Sequence, residues 1–258
     1  MGKVALICAG LMASAIAPQL ARGAETEVRE MVLPTTEGAV SAKLFTIPGS
    51  AEQQGAARPA VIILHGTQGI GRFRSFYENF AGVIAAAGID AYLFSYYSDV
   101  DAVQMKSPDA GVRREVFNNR VRAWSSRVSD VISDIRANGH QSRPIGVVGF
   151  SLGGFLGTAV AAHDERVTAL TVFYGGIPTA VKDEIAHLPP LLELHGDADR
   201  RVPLTEGRAL ADFARGLGQS VEMVVYPGAE HGFAGKDEKD AEGRTVAFFR
   251  QQLSAPVR

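Results

Sequence analysis

Apolar residues recur along this chain in two rhythms, and the rhythms take turns. Continuous apolar runs such as Ala60-Val61-Ile62-Ile63-Leu64 have the character of strands buried on both faces of a parallel sheet. Pro144–Phe150, with Ile145, Val147 and Val148, is a second run of this kind, and Ile89–Phe94, Val167–Tyr174, Leu191–His195 and Val221–Tyr226 are four more. Ala39–Pro48 instead alternates, with Val40, Ala42 and Leu44 apolar, and predicts a strand exposed on one face. The other rhythm is helical. In Phe73–Ala87 the residues Phe76, Phe80, Val83, Ile84 and Ala87 fall on one face, and Gly88 ends the stretch. Gly111–Asn138 carries Val121, Trp124, Val128, Val131, Ile132 and Ile135 at the same spacing; Leu152–His163, Leu204–Leu217 and Ala241–Leu253 are also predicted helices. Strands alternating with helices of this length predict an α/β fold, a mostly parallel central sheet with helices on both faces. No repeat or Pro/Ser-rich linker divides the chain, so residues 25–258 read as a single domain. Ligands bind such sheets at the carboxyl ends of the strands, so candidate chemistry is sought just after each run.

Composition narrows the function classes. The chain has 258 residues, 46% hydrophobic and 21% charged, with a formal net charge of -2. That is ordinary globular usage, and a near-neutral chain has no broad basic field for nucleic acid phosphates. A single cysteine, Cys8, rules out an internal disulfide and a cysteine-based zinc site. The six histidines (His65, His140, His163, His187, His195 and His231) form no metal-ligand spacing with acids, so neither metal nor cofactor is expected. Residues 1–24 read as a secretory signal peptide. Lys3 gives the positive start, Val4 to Ala17 is uncharged and apolar, and Ala15-Ile16-Ala17 and Ala21-Arg22-Gly23 are alternative cleavage sites. The run is shorter than the about 20 residues of a membrane span, so export to the periplasm or beyond is expected, with no stable span after cleavage. The alternative is an uncleaved N-terminus on a cytoplasmic or membrane-anchored protein.

Three strand ends carry chemistry. Gly149-Phe150-Ser151-Leu152-Gly153-Gly154 joins a buried strand to an apolar helix and matches Gly-x-Ser-x-Gly, a sharp turn that exposes a strained serine. The helix start behind Ser151 offers free N–H groups, that of Leu152 first, to a developing negative oxygen. Leu194-His195-Gly196-Asp197-Ala198-Asp199-Arg200-Arg201-Val202-Pro203 supplies two acids, Asp197 and Asp199, either of which could orient a histidine. Gly228-Ala229-Glu230-His231-Gly232-Phe233 supplies that histidine, His231, as general base and then general acid. After Ala60–Leu64, His65-Gly66-Thr67-Gln68-Gly69 is placed to donate a second oxyanion N–H. Gly66 to Gly71 has phosphate-loop glycine spacing, but Arg72-Phe73 stand where Lys and Ser/Thr are required, which argues against a nucleotide. His65 and His195 each precede a glycine at a strand end and are expected to shape loops. Ser95 to Arg114, the connection after Ile89–Phe94, is expected over the site.

Together these elements resemble the dienelactone hydrolase family of α/β-hydrolases, over roughly Ala39 to Leu253. The order serine, acid, histidine is that of the fold. The resemblance selects Asp199, in Asp199-Arg200-Arg201-Val202-Pro203, over Asp197. It implies a serine-nucleophile member with Ser151, Asp199 and His231 catalytic and the N–H groups of Leu152 and Thr67 as the oxyanion hole. The implied substrate is a small ester or lactone, cleaved through an acyl-enzyme. A peptidase or acyltransferase of the same fold, or a non-catalytic binding protein on this scaffold, is the alternative. Two positions depart from the dienelactone-cleaving members: Gly235 replaces an arginine that helps bind substrate carboxylate, and Gly66 replaces a glutamate that assists a cysteine nucleophile. Arg72, Arg74, Arg200 and Arg201 are candidates to replace the missing positive charge. Acyl specificity and oligomeric state are not fixed by these residues.

Overall fold

A computed structural model describes residues 25–48, 58–138 and 141–254. The expected signal peptide 1–24, with Cys8, lies outside the described residues, as do His140 and most of the loop expected over Gly49 to Pro59. The described strands are β1 (Glu27–Leu33), β2 (Val40–Thr46), β3 (Ala60–Leu64), β4 (Asp90–Phe94), β5 (Ile145–Phe150), β6 (Val167–Phe173), β7 (Leu191–Gly196) and β8 (Val221–Tyr226). They form one eight-stranded sheet in the order β1-β2-β4-β3-β5-β6-β7-β8. Pairing is parallel from β4 through β3, β5, β6 and β7 to β8, and only β2 runs against the rest. The helices are α1 (Arg74–Ala86), α2 (Asp99–Gln104), α3 (Ala110–Asn138), α4 (Leu152–His163), α5 (Leu204–Gly216) and α6 (Lys236–Leu253).

The pleat sorts the apolar runs onto two faces. In β3, Ala60, Ile62 and Leu64 join Trp124 and Val128 of α3, Leu156 of α4 and Leu210 of α5. Val61 and Ile63 point the other way, toward Phe80 and Ile84 of α1 and Phe249 of α6. All of these residues are essentially inaccessible to water. Because both faces are covered, the central strands read as unbroken apolar runs rather than as alternation. Among the described residues no helix is long and apolar enough to cross a membrane.

Three elements differ from the sequence reading. β1 was not expected: Glu27-Val28-Arg29-Glu30 has its side chains largely exposed at a sheet edge with β2 as its partner, so no buried face imposes a pattern. α2 is too short for periodicity, yet Ser98 accepts from the Asp101 N–H while the Asp101 carboxylate accepts from the Ser98 N–H, a capping box visible as Ser-x-x-Asp. α6 begins at Lys236 rather than near Ala241, because its polar first turn with Asp237 and Glu238 precedes the first buried residue.

Candidate active site

Parallel strands deliver their carboxyl ends to one rim, and the candidate residues lie there. Ser151 follows β5 with φ 55° and ψ -117°, a conformation that costs a non-glycine residue about 1–3 kcal/mol. Its neighbours explain how the turn closes. A Cβ on Gly149 would lie 2.0 Å from the Gly153 carbonyl oxygen, and one on Gly153 would lie 2.3 Å from the Leu64 carbonyl oxygen. Only glycine at both positions lets the first turn of α4 press against β5 and the end of β3. The Ser151 N–H is tied to the Phe173 carbonyl at 2.9 Å, which leaves the hydroxyl to project.

The three side chains picked from sequence meet. The Ser151 hydroxyl donates to His231 Nε2 at 2.9 Å, and His231 Nδ1–H donates to Asp199 Oδ2 at 2.7 Å. Asp199 Oδ1 accepts the backbone N–H groups of Arg201 (2.8 Å) and Val202 (3.0 Å), so its carboxylate is fully engaged and buried. Asp197 is exposed and accepts the Gly228 N–H at 2.7 Å; it ties the acid loop to the loop after β8 and does not meet the histidine. Burial pushes the His231 imidazole below its ordinary value. The Asp199 hydrogen bond and charge oppose this, and the positive charges of Arg201 and His195 assist it. His231 is therefore a neutral, proton-accepting base at neutral pH. The Tyr174 ring lies 4.7 Å from it, on a residue held at φ 42° just past β6.

On the other flank, the loop after β3 is fixed by three phenols. Tyr77 accepts the Gly66 N–H at 2.9 Å, Tyr96 donates to the His65 carbonyl at 2.7 Å, and Tyr97 donates to the Thr67 carbonyl at 3.1 Å. His65 stacks on Tyr96 at 4.0 Å, and complete burial pushes its imidazole down to about 4, so it stays neutral. Among the described residues, the N–H groups of Thr67 and Leu152 have no hydrogen-bond acceptor. The segment Ser95 to Arg114 supplies Tyr96 and Tyr97, so its contacts back this loop. A cavity of about 780 Å³ opens beside it, lined among others by Thr67, Gln68, Ser95, Tyr97, Lys43 and Lys106; it adjoins the site through Thr67 and is not walled by Ser151 or His231.

The two departures have structural meaning. A Cβ on Gly66 would lie 3.5 Å from the Ser151 Cβ, so position 66 faces Ser151 and is bare. Gly235 caps α6 at φ 63° and carries no charge. Of the four arginines considered as substitutes, Arg74 lies 3.7 Å from Glu78, while Arg201 acts on His231 through its charge. Sequence reasoning passed over Glu193, although one acid inside Leu191-Leu192-Glu193-Leu194 was a visible anomaly. It also missed Tyr77, which hides in the apolar stripe of α1 with no distinguishing signal. Among the described residues no group of three His, Cys, Asp or Glu side chains is arranged to hold a metal ion.

Comparison with known proteins agrees with this architecture. The model of the dienelactone hydrolase family matches residues 47–252. A Salmonella typhimurium protein, ascribed the activity of a carboxymethylenebutenolidase, is 23% identical over 240 residues, 78% of this chain and 81% of that protein. In structure, the chain is similar to a Klebsiella pneumoniae protein ascribed to the dienelactone hydrolases, with TM-score 0.71, 21% identity and coverage of 88% of this chain and 99% of the other. It is similarly close to a dienelactone hydrolase of Anabaena variabilis, with TM-score 0.71, 19% identity and coverage of 89% and 99%.

Proposed function

This chain belongs to the dienelactone hydrolase family, whose members hydrolyse esters or lactones, and we propose that it does so as a serine hydrolase through an acyl-enzyme. One observation carries the reading: the hydrogen-bonded chain Ser151–His231–Asp199, at 2.9 and 2.7 Å, on a strained elbow. Ser151 Oγ attacks the substrate carbonyl carbon while His231 Nε2 takes its proton. Asp199 holds the imidazole with Nδ1–H toward itself and stabilises the imidazolium. The tetrahedral oxyanion takes the N–H groups of Leu152 and Thr67, where loss of one donor typically costs about 10²–10³ in rate. The leaving alcohol departs with the proton from His231, and water, activated by the same imidazole, releases the acid.

The bare position 66 suits a serine, which His231 activates directly without a further carboxylate. Gly235 removes one means of gripping a substrate carboxylate, so simple esters and neutral lactones are the preferred class. The test is Ser151→Ala against p-nitrophenyl acetate and a panel of lactones, with fluorophosphonate labelling of the wild type. Turnover is expected to vanish in the variant and the label to sit on Ser151. Turnover at the wild-type rate in Ser151→Ala would remove the serine from the mechanism. Residues 1–24 are assigned in the same proposal as an export signal; sequencing the N-terminus of the mature protein checks this, and an intact Met1 would overturn it.

A further inference from the structure

Directly behind Asp199 sits a second carboxylate–imidazole pair that the hydrolytic chain leaves unused. Glu193, in the middle of β7, and His195, two residues on and on the same face, are both fully buried. Glu193 Oε1 lies 2.7 Å from His195 Nδ1, while Oε2 has no hydrogen-bond partner. His195 Nε2 lies 2.9 Å from the Val202 carbonyl oxygen and 3.7 Å from Asp199 Oδ2, the oxygen that accepts from His231.

The space around the pair is built for it. A Cβ on Gly207 of α5 would lie 2.1 Å from Glu193 Oε1 and 2.5 Å from His195 Nδ1, so α5 presents bare backbone there. The strand neighbours in register with Glu193 are Val172 of β6 and Met223 of β8, and His195 pairs with Val225, all apolar. The titratable groups that act on the pair from outside it are Asp199 on the acid loop and, beyond Asp199, His231. Proton counting follows from the acceptors. Val202 O carries no proton, so His195 Nε2 must. At 2.7 Å, Nδ1 and Oε1 must share one more, or two lone pairs would confront each other. The ring lies between two carboxylates, Glu193 and Asp199, and that flanking negative charge favours the proton on the imidazole.

We propose that His195 is a permanently doubly protonated imidazolium held by Glu193, and that the two are positioning residues that anchor the acid loop through Val202 and, by placing a positive charge against Asp199, temper the basicity of His231. The proposal rests on the reading of Ser151, Asp199 and His231 as the hydrolytic chain. Burial alone would push His195 down, but the hydrogen bond and charge of Glu193 outweigh it, and its pKa is raised; burial raises that of Glu193 as well, so the pair keeps its proton. An unpaired buried charge would be costly, which is why neither partner can be lost singly without effect.

The experiment has two arms. In the first, the full chain labelled with ¹⁵N-histidine is followed by NMR from pH 5.5 to 9. His195, assigned by its absence in His195→Gln, is expected to show two protonated ring nitrogens throughout. One bare nitrogen at pH 7 overturns the proposal. In the second, Glu193→Gln is compared with wild type. Its neutral amide donates to Nδ1, leaves Nε2–H on Val202 O, and removes the positive charge. The acidic limb of kcat/KM is then expected to move up by about half to one pH unit, because the positive charge lost from His195 lies nearer to His231 than the negative charge lost with it from Glu193, and at an effective dielectric of about 20 the nearer loss outweighs the farther one by about that much. The plateau kcat is expected to fall about tenfold at unchanged KM, as suits misplacement of groups that do not touch substrate. A loss of thermal stability with the limb unmoved reduces the pair to packing and overturns the proposal. The protonation state is read on the wild-type chain and needs no turnover, and where His195→Gln does not fold, through-bond correlation from the wild-type backbone gives the assignment. Failure of the hydrolytic reading, seen as an active Ser151→Ala, is thus distinct from failure here.

Discussion

The two flanks of Ser151 are held by different chemistry. On the side of β3 and β4, phenol hydroxyls of Tyr77, Tyr96 and Tyr97 grip backbone groups of the 65–67 loop, and the one imidazole present, His65, is kept neutral. On the side of β7 and β8 the groups are carboxylates and imidazoles: Asp199 against His231, with Glu193 and His195 behind. The division fits the chemistry proposed for each flank. In the proposed mechanism a negative oxygen is received on the first, and rigid neutral dipoles do this without a neighbouring anion to repel it. In the same proposal a proton is taken up and returned on the second, and there charges must be balanced at each stage.

Substitutions that separate the flanks should differ in size and in pH behaviour. Asp199→Asn is expected to have the largest effect, a loss of about 10⁴ in kcat, since the amide can hold the imidazole in the wrong tautomer; a loss below tenfold in steady-state assays would mean Asp199 does not orient the base. Next is the neutral flank's effect on stability. The His65 imidazole is held at about 4 in the folded protein against about 6.5 unfolded, so the unfolded chain binds the extra proton between those values. Stability should be fully present above pH 6.5 and decline toward pH 4, by on the order of 3 kcal/mol. Urea unfolding should show this slope flattened in His65→Gln, and an identical slope in that variant would exclude His65 as its source.

Smaller effects sharpen the same contrast. Tyr97→Phe releases the Thr67 carbonyl and is expected to lower kcat by about tenfold, less than the loss of an oxyanion donor itself. Its acidic limb should coincide with that of wild type, below pH 6.5 because His231 is depressed by burial; a shifted limb would show that the flanks are electrostatically coupled. Asp197→Asn should be smallest, within about threefold in kcat, because its exposed carboxylate only anchors the Gly228 N–H. If it exceeded Asp199→Asn, the roles of the two acids would be reversed.

The carboxylate–imidazole flank was more legible in sequence than the neutral one. Ser151, His231 and a pair of acids announce themselves because each directly follows an apolar run, in a glycine-marked turn, and in the order serine, acid, histidine. The choice between Asp197 and Asp199 was legible only through the family resemblance, since both sit in one loop and its folding alone turns one inward. The central strands were legible because burial on both faces writes itself as an apolar run; β1 was not, because its edge position leaves its residues free to be charged. Tyr77, Tyr96 and Tyr97 were present in the sequence as aromatic residues, but nothing local says that a hydroxyl rather than a ring face is what the fold uses.

One consequence of the strand order concerns length. Ser151 and Asp199 follow β5 and β7, which are not neighbours; β6 stands between them. With strands about 4.8 Å apart, the hydroxyl and the carboxylate are separated by roughly two sheet spacings, about 9.6 Å at the backbone. An imidazole reaching from the end of β8 acts as a gauge block cut to that gap, touching both sides at once. Shorter polar side chains at position 231 would reach one face or the other, so tolerance at this position is governed by span before acidity.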